Sequence, residues 1–276
     1  MSAPETSHAP AFLEAEPSLN TDADSATTSA DEASDGESAG NDESDLDSSL
    51  GAERVLDIGT GTGIWAIDFA DDNPASTVIG VDLSPVQPSY VPPNAYFQIE
   101  DIEEEPWSFS QKFDFVHSRM NTGGIRDIPK LFRQAYDNLN PGGWIETTDG
   151  ALATSDDGTL KEDSALYQWN LLLSKGTEVL GTPYGAAPTY KELLREAGFI
   201  NVKEVIFKWP TNQWARHPRH KELGTWNYEN VLMGLEGLCI AIFSRVLGWS
   251  KEKVDVFLAE VRNDLKNRDI HAYWPM

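Results

Sequence analysis

An α/β fold built on a doubly wound, mostly parallel sheet follows from three features of the sequence. Short apolar runs alternate with helical patterns between residues 52 and 150. Glycines at alternate positions stand directly behind the first apolar run. After Gly150 the pattern becomes mostly helical. Strands that alternate with helices form βαβ units, and their right-handed crossovers place the loops after successive strands on one rim. Ligands of such sheets bind beyond the carboxyl ends of the strands.

Each element has its own signal. RVLDIG reads as a buried strand, and GIWAIDFADD as a helix opened by the glycine loop. STVIGVDLS, AYFQIED and KFDFVHSR read as strands two to four. A helix over Ile128 to Asn138 leads to an NPGG turn, and GWIETTD is the fifth strand. Beyond Gly150, KEDSALYQWNLLLSK places Leu166, Trp169, Leu172 and Leu173 on one helical face. PTYKELLREAG is a shorter helix ended by Gly198, and FINVKEVIFKW is expected to be a sixth strand. A long helix follows around Leu223 to Leu247. In a last helix, capped by Ser250, Val254, Phe257, Leu258, Val261 and Leu265 recur at helical spacing.

Composition divides the chain of 276 residues. Residues 1–50 hold 13 acidic residues and no Lys or Arg, which leaves −11 of the formal −24 for the remainder. So polar a segment cannot bury enough apolar surface to offset its chain entropy, and it is read as a disordered acidic tail. It has the pattern of neither a secretion signal nor a mitochondrial presequence. Residues 52–150 are expected to form a Rossmann-like core. Residues 151–276 are read as the helical C-terminal part of the same domain, around an acceptor pocket. The single cysteine, Cys239, lies in the six-residue apolar run LCIAIF and is read as a core residue in a reducing compartment. That run is far short of the roughly 20 apolar residues of a membrane span. The acidic balance gives no footprint for nucleic acid. The expected location is intracellular, cytoplasmic or nuclear.

The loop in VLDIGTGTGIWAIDFAD admits two ligands. Gly61, Gly63 and Ala66 satisfy the dinucleotide pattern G-x-G-x-x-A, and Asp82 follows at the spacing of a ribose-binding acid. Asp57, two residues before Gly59, favours the other ligand. A carboxylate there would repel a pyrophosphate but tolerate the ammonium and sulfonium of S-adenosylmethionine. Asp82 is placed to accept the ribose hydroxyl protons, and Asp101, just past strand three, to accept from the adenine amino group. Three acids after three successive strands are more specific than the glycines alone.

With these residues the sequence resembles class I methyltransferases. VLDIGTGTGIWAIDFAD, VIGVDLSPVQPSYVPPN, FDFVHSRM, LNPGGWIE, WARHPRHKELGTWNYENVLMGLEGL and LGWSKEKVDVFLAEVRNDL resemble more narrowly the fungal LaeA-like methyltransferase family, over nearly everything after Glu53. The resemblance implies S-adenosylmethionine binding at Asp57, Gly59, Gly61, Gly63, Asp82 and Asp101. It also implies a place in fungal secondary metabolism, in tailoring small molecules or in regulating their gene clusters. Two parts of the family pattern are not expected here. One is an ordered aromatic and basic segment before the first strand, where GAERVLDIG follows the acidic tail directly. The other is an antiparallel seventh strand beside the fifth, where the chain reads IHAYWPM.

Methyl transfer needs mainly alignment of donor and acceptor, and a base only where the acceptor must lose a proton. His117, ending strand four, is the candidate base, against a role in orienting a loop. Arg119 is a candidate for pairing with the cofactor carboxylate or an acidic acceptor, against a structural ion pair. Trp65 is a candidate to pack beneath the cofactor, against a buried place on the first helix. His217 and His220 in RHPRH have metal-pair spacing, but no cysteine or carboxylate set completes a site. Asp156-Asp157-Gly158 reads as a turn rather than a calcium loop. No metal is expected. The leading function is a methyltransferase acting on a small-molecule acceptor. The alternative is a catalytically weak regulator of the same fold that works through a protein partner, and an NAD(P) oxidoreductase ranks third.

Overall fold

The computed structural model describes residues 51–104 and 106–276. The acidic tail expected over residues 1–50 lies outside the described residues. Five strands, β1 (Arg54–Ile58), β2 (Thr77–Asp82), β3 (Ala95–Ile99), β4 (Phe113–Arg119) and β5 (Leu139–Thr148), form a parallel sheet in the order β3-β2-β1-β4-β5. Val55 and Leu56 of β1, Val78 of β2 and Val116 of β4 are fully buried. Central parallel strands covered on both faces require such continuous apolar runs.

Helix α1 (Ile64–Asp72) covers one face, where Ala66, Phe69 and Ala70 meet Val55, Val78 and Phe115. Helix α2 (Ile128–Asn138) covers the other, where Leu131 and Ala135 meet Leu56, Ile58 and Val116. The Lys130 N–H donates to the Asp127 side chain at 2.8 Å, capping α2 just before its Pro129.

The helical part has its own core. Leu166, Trp169 and Leu173 of α3 (Ala165–Leu180) meet Leu235 and Cys239 of α5 (Pro218–Ala241). Val254, Leu258, Val261 and Leu265 of α6 (Lys251–Lys266) complete it. Ser164 and Ser250 cap α3 and α6, and Gly181 ends α3 at φ 75°. Helix α4 (Tyr190–Ala197) packs on α2, with Tyr190 and Leu194 against Ile128 and Phe132.

Three expectations are corrected. The NPGG stretch is a bulge within β5, whose pairing with β4 jumps from Phe113↔Leu139 to Phe115↔Trp144. The long helix starts at Pro218, ahead of Leu223, because His217 caps it through the Arg219 N–H. The sixth strand does not join the sheet. Only β6 (Lys208–Pro210) of that segment is a strand, and it pairs antiparallel with β7 (Tyr273–Pro275) in a separate ribbon. Asn201 turns the chain at φ 58°, Phe199 and Val202 pack beside Tyr190 and Leu194 of α4, and Ile200, Val205 and Ile206 are left 84%, 52% and 61% exposed. Among the described residues the sheet ends at β5.

Candidate functional site

The strand order reverses between β1 and β4, since β2 and β3 lie to one side of β1 and β5 lies beyond β4. Loops leaving the two central strands therefore diverge and open a crevice. The glycine loop lies there. Gly59, Gly61 and Gly63 have φ of 68°, 55° and 80°, a region that L side chains adopt only with strain. A Cβ on Gly59 would overlap the Asn121 amide, and one on Gly63 the Phe97 ring, whereas a Cβ on Gly61 would meet nothing within 4 Å. Two of the glycines thus allow close packing, and the middle one borders open space.

Asp57 and His117 occupy paired positions in the β1–β4 register. His117 Nδ1 lies 2.8 Å from Asp57 Oδ1, and the Thr60 hydroxyl donates to Asp57 Oδ2 at 2.6 Å. A carboxylate oxygen accepts, so the ring proton is assigned to Nδ1. Trp65 stacks on the imidazole, with centroids 3.6 Å apart and planes within 8°. Asp57 is 3% and His117 2% exposed. His117 was expected to point to the rim toward an acceptor; the structure instead seals it between Trp65 and Asp57. Asp57 is likewise buried, with one oxygen held by His117 and the other by the Thr60 hydroxyl of the loop. Trp65 lies under the loop against His117.

The two later acids stand at the rim. The Gly61 N–H donates to Asp82 Oδ2 at 2.8 Å and the Ser84 N–H to Oδ1 at 2.9 Å. Each carboxylate oxygen retains a lone pair for a further donor. Gln87 Nε2 donates to the Gly61 carbonyl at 2.7 Å, fixing the loop from its outer side. Asp101, beyond β3, accepts the Glu103 N–H through Oδ1 at 2.9 Å. Ile64, Leu83 and Met120 leave an apolar border 61%, 68% and 52% exposed.

Beside the candidate Arg119, which ends β4, stand residues that the sequence reading missed. Arg119 is exposed and makes no ion pair among the described residues. Met120 takes φ 57°, a strained value for a side-chain-bearing residue. It turns Asn121 back so that Nδ2 donates to the Ile58 carbonyl and to Ser118 Oγ, both at 2.9 Å. Asp149, directly after β5, accepts the Thr122 N–H and the Tyr190 hydroxyl, each at 2.9 Å. Burial pushes the Asp149 carboxyl above the usual carboxylate range, while the Thr122 N–H, the Tyr190 hydroxyl and the Asn121 backbone pull it down. Asp149 obeys the same acid-after-strand rule that singled out Asp82, so the signal was present in TTDG.

Elsewhere, His217 caps α5 and its ring lies 5.4 Å from that of His220. Among the described residues no group of three or more His, Cys, Asp or Glu is arranged to hold a metal ion. No helix there is long and apolar enough to cross a membrane. Cavities of about 260 and 270 Å³ lie near Glu103 and Gln134 and near Asn212 and Tyr228, away from the glycine loop.

This sheet order and glycine crevice define a Rossmann-like α/β fold. A family model described as "Methyltransferase domain" matches residues 23–204. The chain is 40% identical over 222 residues to "Methyltransferase pytC" of Aspergillus terreus, covering 80% of this chain and 68% of that protein. It is 38% identical to "Secondary metabolism regulator LAE1" of Cochliobolus heterostrophus, over 80% of this chain and 73% of that one. Among solved structures, it is similar to Haemonchus contortus phosphoethanolamine N-methyltransferase 2, with 23% identity and a TM-score of 0.45 over 81% of this chain and 47% of that one. The chain belongs to the methyltransferase-domain family.

Proposed function

We propose that this chain is an S-adenosylmethionine-dependent methyltransferase of fungal secondary metabolism that acts on a small molecule. The observation that carries the reading is the open space over Gly61, bordered by the partly exposed Asp82 carboxylate. The residues fit the cofactor. Asp82 has acceptor capacity for ribose hydroxyls, Asp101 stands past β3 for an adenine amino group, and Ile64, Leu83 and Met120 supply an apolar border.

S-adenosylmethionine supplies a methyl group on a positively charged sulfur. The chain's own contribution is to hold donor and acceptor in line, which accounts for most of what methyl transfer requires. Gly61 gives close backbone approach, Gly59 and Gly63 let the loop pack on Asn121 and Phe97, and Arg119 offers a cation to a carboxylate of cofactor or acceptor. His117 acts by orienting Asp57 and the loop; with its side chain 3% exposed it does not reach an acceptor. The helices after Gly150 form the acceptor side. The place of action is intracellular.

Similarity to LAE1 favours a second reading, a regulator working through protein partners. Methyl-labelled S-adenosylmethionine separates the two. Incubated with the chain and fungal extract, it should label the small-molecule fraction, and Asp82→Ala should abolish the label. Label on protein alone, or none, would contradict the proposal.

A further inference from the structure

Asp149 and Tyr190 have no task in the reading above, yet they join the two halves of the site. Asp149 is 4% and Tyr190 8% exposed. Through Oδ1 Asp149 holds the Thr122 N–H in the loop after β4, and through Oδ2 it holds the Tyr190 hydroxyl at the start of α4. Thr122 reaches further: its Oγ1 accepts the Gly185 N–H at 3.0 Å, in the segment between α3 and α4. Its neighbour Asn121 ties to the Ile58 carbonyl, and the Asn121 amide occupies the place that a Cβ on Gly59 would need. A continuous path of hydrogen bonds and close contact therefore runs from the glycine loop through Asn121, Thr122 and Asp149 to Tyr190 and Gly185.

We infer that Asp149 is a positioning residue that couples the cofactor loop to the acceptor-side helices, so that cofactor affinity depends on the Tyr190–Asp149 hydrogen bond. The inference rests on the proposed use of S-adenosylmethionine. The coupling has a physical basis. Both oxygens of one buried carboxylate are committed, one to each side, so a shift of α4 is felt at Thr122. Met120, strained at φ 57°, leaves the adjoining loop dependent on such outside ties. Burial, then the Asp149 charge, raises the Tyr190 phenol well above its ordinary range, which keeps the hydroxyl a donor. Coupling is reciprocal: a cofactor that orders the glycine loop also orders the start of α4.

Tyr190→Phe is the decisive variant. The ring remains edge-on to Phe132, with centroids 5.2 Å apart, and only the hydroxyl is lost. Titration with S-adenosylhomocysteine should show an affinity about fivefold or more below wild type, a typical size for coupling between sites. The amide resonances of Thr122 and Gly59 should shift in the unliganded protein, a change that a purely structural role for Tyr190 would not transmit to Gly59. Asp149→Asn keeps the shape but only one acceptor, and it should move both readouts in the same direction. Wild-type affinity together with an unmoved Gly59 resonance in Tyr190→Phe would overturn the inference alone. A folded wild type that binds no S-adenosylhomocysteine would overturn the functional reading and this inference with it.

Discussion

Asp57 on β1 and His117 on β4 face each other across two parallel strands and share a hydrogen bond of 2.8 Å, with side chains only 4% and 3% exposed. This pair forms the floor of the glycine loop. Removing the carboxylate leaves the His117 Nδ1–H and the Thr60 hydroxyl without an acceptor in a buried place. Each orphaned donor costs about 1–3 kcal/mol. Asp57→Ala should therefore lose roughly 2–6 kcal/mol of stability in urea denaturation, whereas Asp82→Ala at the partly exposed rim should lose less. Equal midpoints for the two variants would count against a floor role for Asp57.

The three loop glycines should respond differently to substitution. Gly61→Ala meets open space and bears only the strain of positive φ, on the order of 1 kcal/mol. Gly59→Ala and Gly63→Ala add collisions with Asn121 and Phe97 and should lower the thermal midpoint further. Thermal unfolding monitored by circular dichroism distinguishes them. A ranking with Gly61→Ala as the most damaging would contradict the loop geometry.

Exposure of the segment before β6 makes a prediction opposite to that of a sixth sheet strand. Val205 is 52% exposed, so Val205→Ser should change stability by no more than about 0.5 kcal/mol. Val116→Ser, at a fully buried position of β4, should cost more than about 2 kcal/mol. Comparable losses at both positions would place residue 205 in a buried strand.

The ribbon of β6 and β7 is tied to the DDG turn by acid-sensitive contacts. Lys208 Nζ donates to Asp156 Oδ2 at 2.6 Å and the Tyr273 hydroxyl to Oδ1 at 2.7 Å. Burial acts to raise the Asp156 carboxyl, but these two hydrogen bonds and the Lys208 charge hold it below its ordinary 3.8. A carboxyl lowered in the folded chain stabilises it fully above 3.8 and loses that contribution as pH falls through the folded value. Asp156→Asn should flatten the acid end of the Tm profile below about pH 4. A loss only at neutral pH, with the acid limb unchanged, would contradict this assignment.

Sequence signals were sufficient wherever structure is decided locally. The glycine loop, the Ser250 cap and the apolar runs of β1, β2 and β4 were read correctly because each signal lies within the element it specifies. The Asp57–His117 bond joins positions 60 residues apart and exists only through the β1–β4 register. A histidine ending a strand therefore read as a rim residue while its partner was hidden. FINVKEVIFKW alternates like a strand, but a strand needs a ladder partner, and the C-terminal segment meets it only at its end, from Phe207 to Trp209. Asn121 carried no signal, since its role depends on the turn at Met120 and on the missing Cβ of Gly59.

The most direct test of the central claim is titration calorimetry of the purified chain with S-adenosylmethionine and S-adenosylhomocysteine, with NAD as control. Saturable binding of both sulfur compounds, lost in Asp82→Ala and absent for NAD, is the predicted result. A folded chain that takes up neither, or that binds NAD instead, would contradict the claim that the crevice between β1 and β4 is a methyl-donor site.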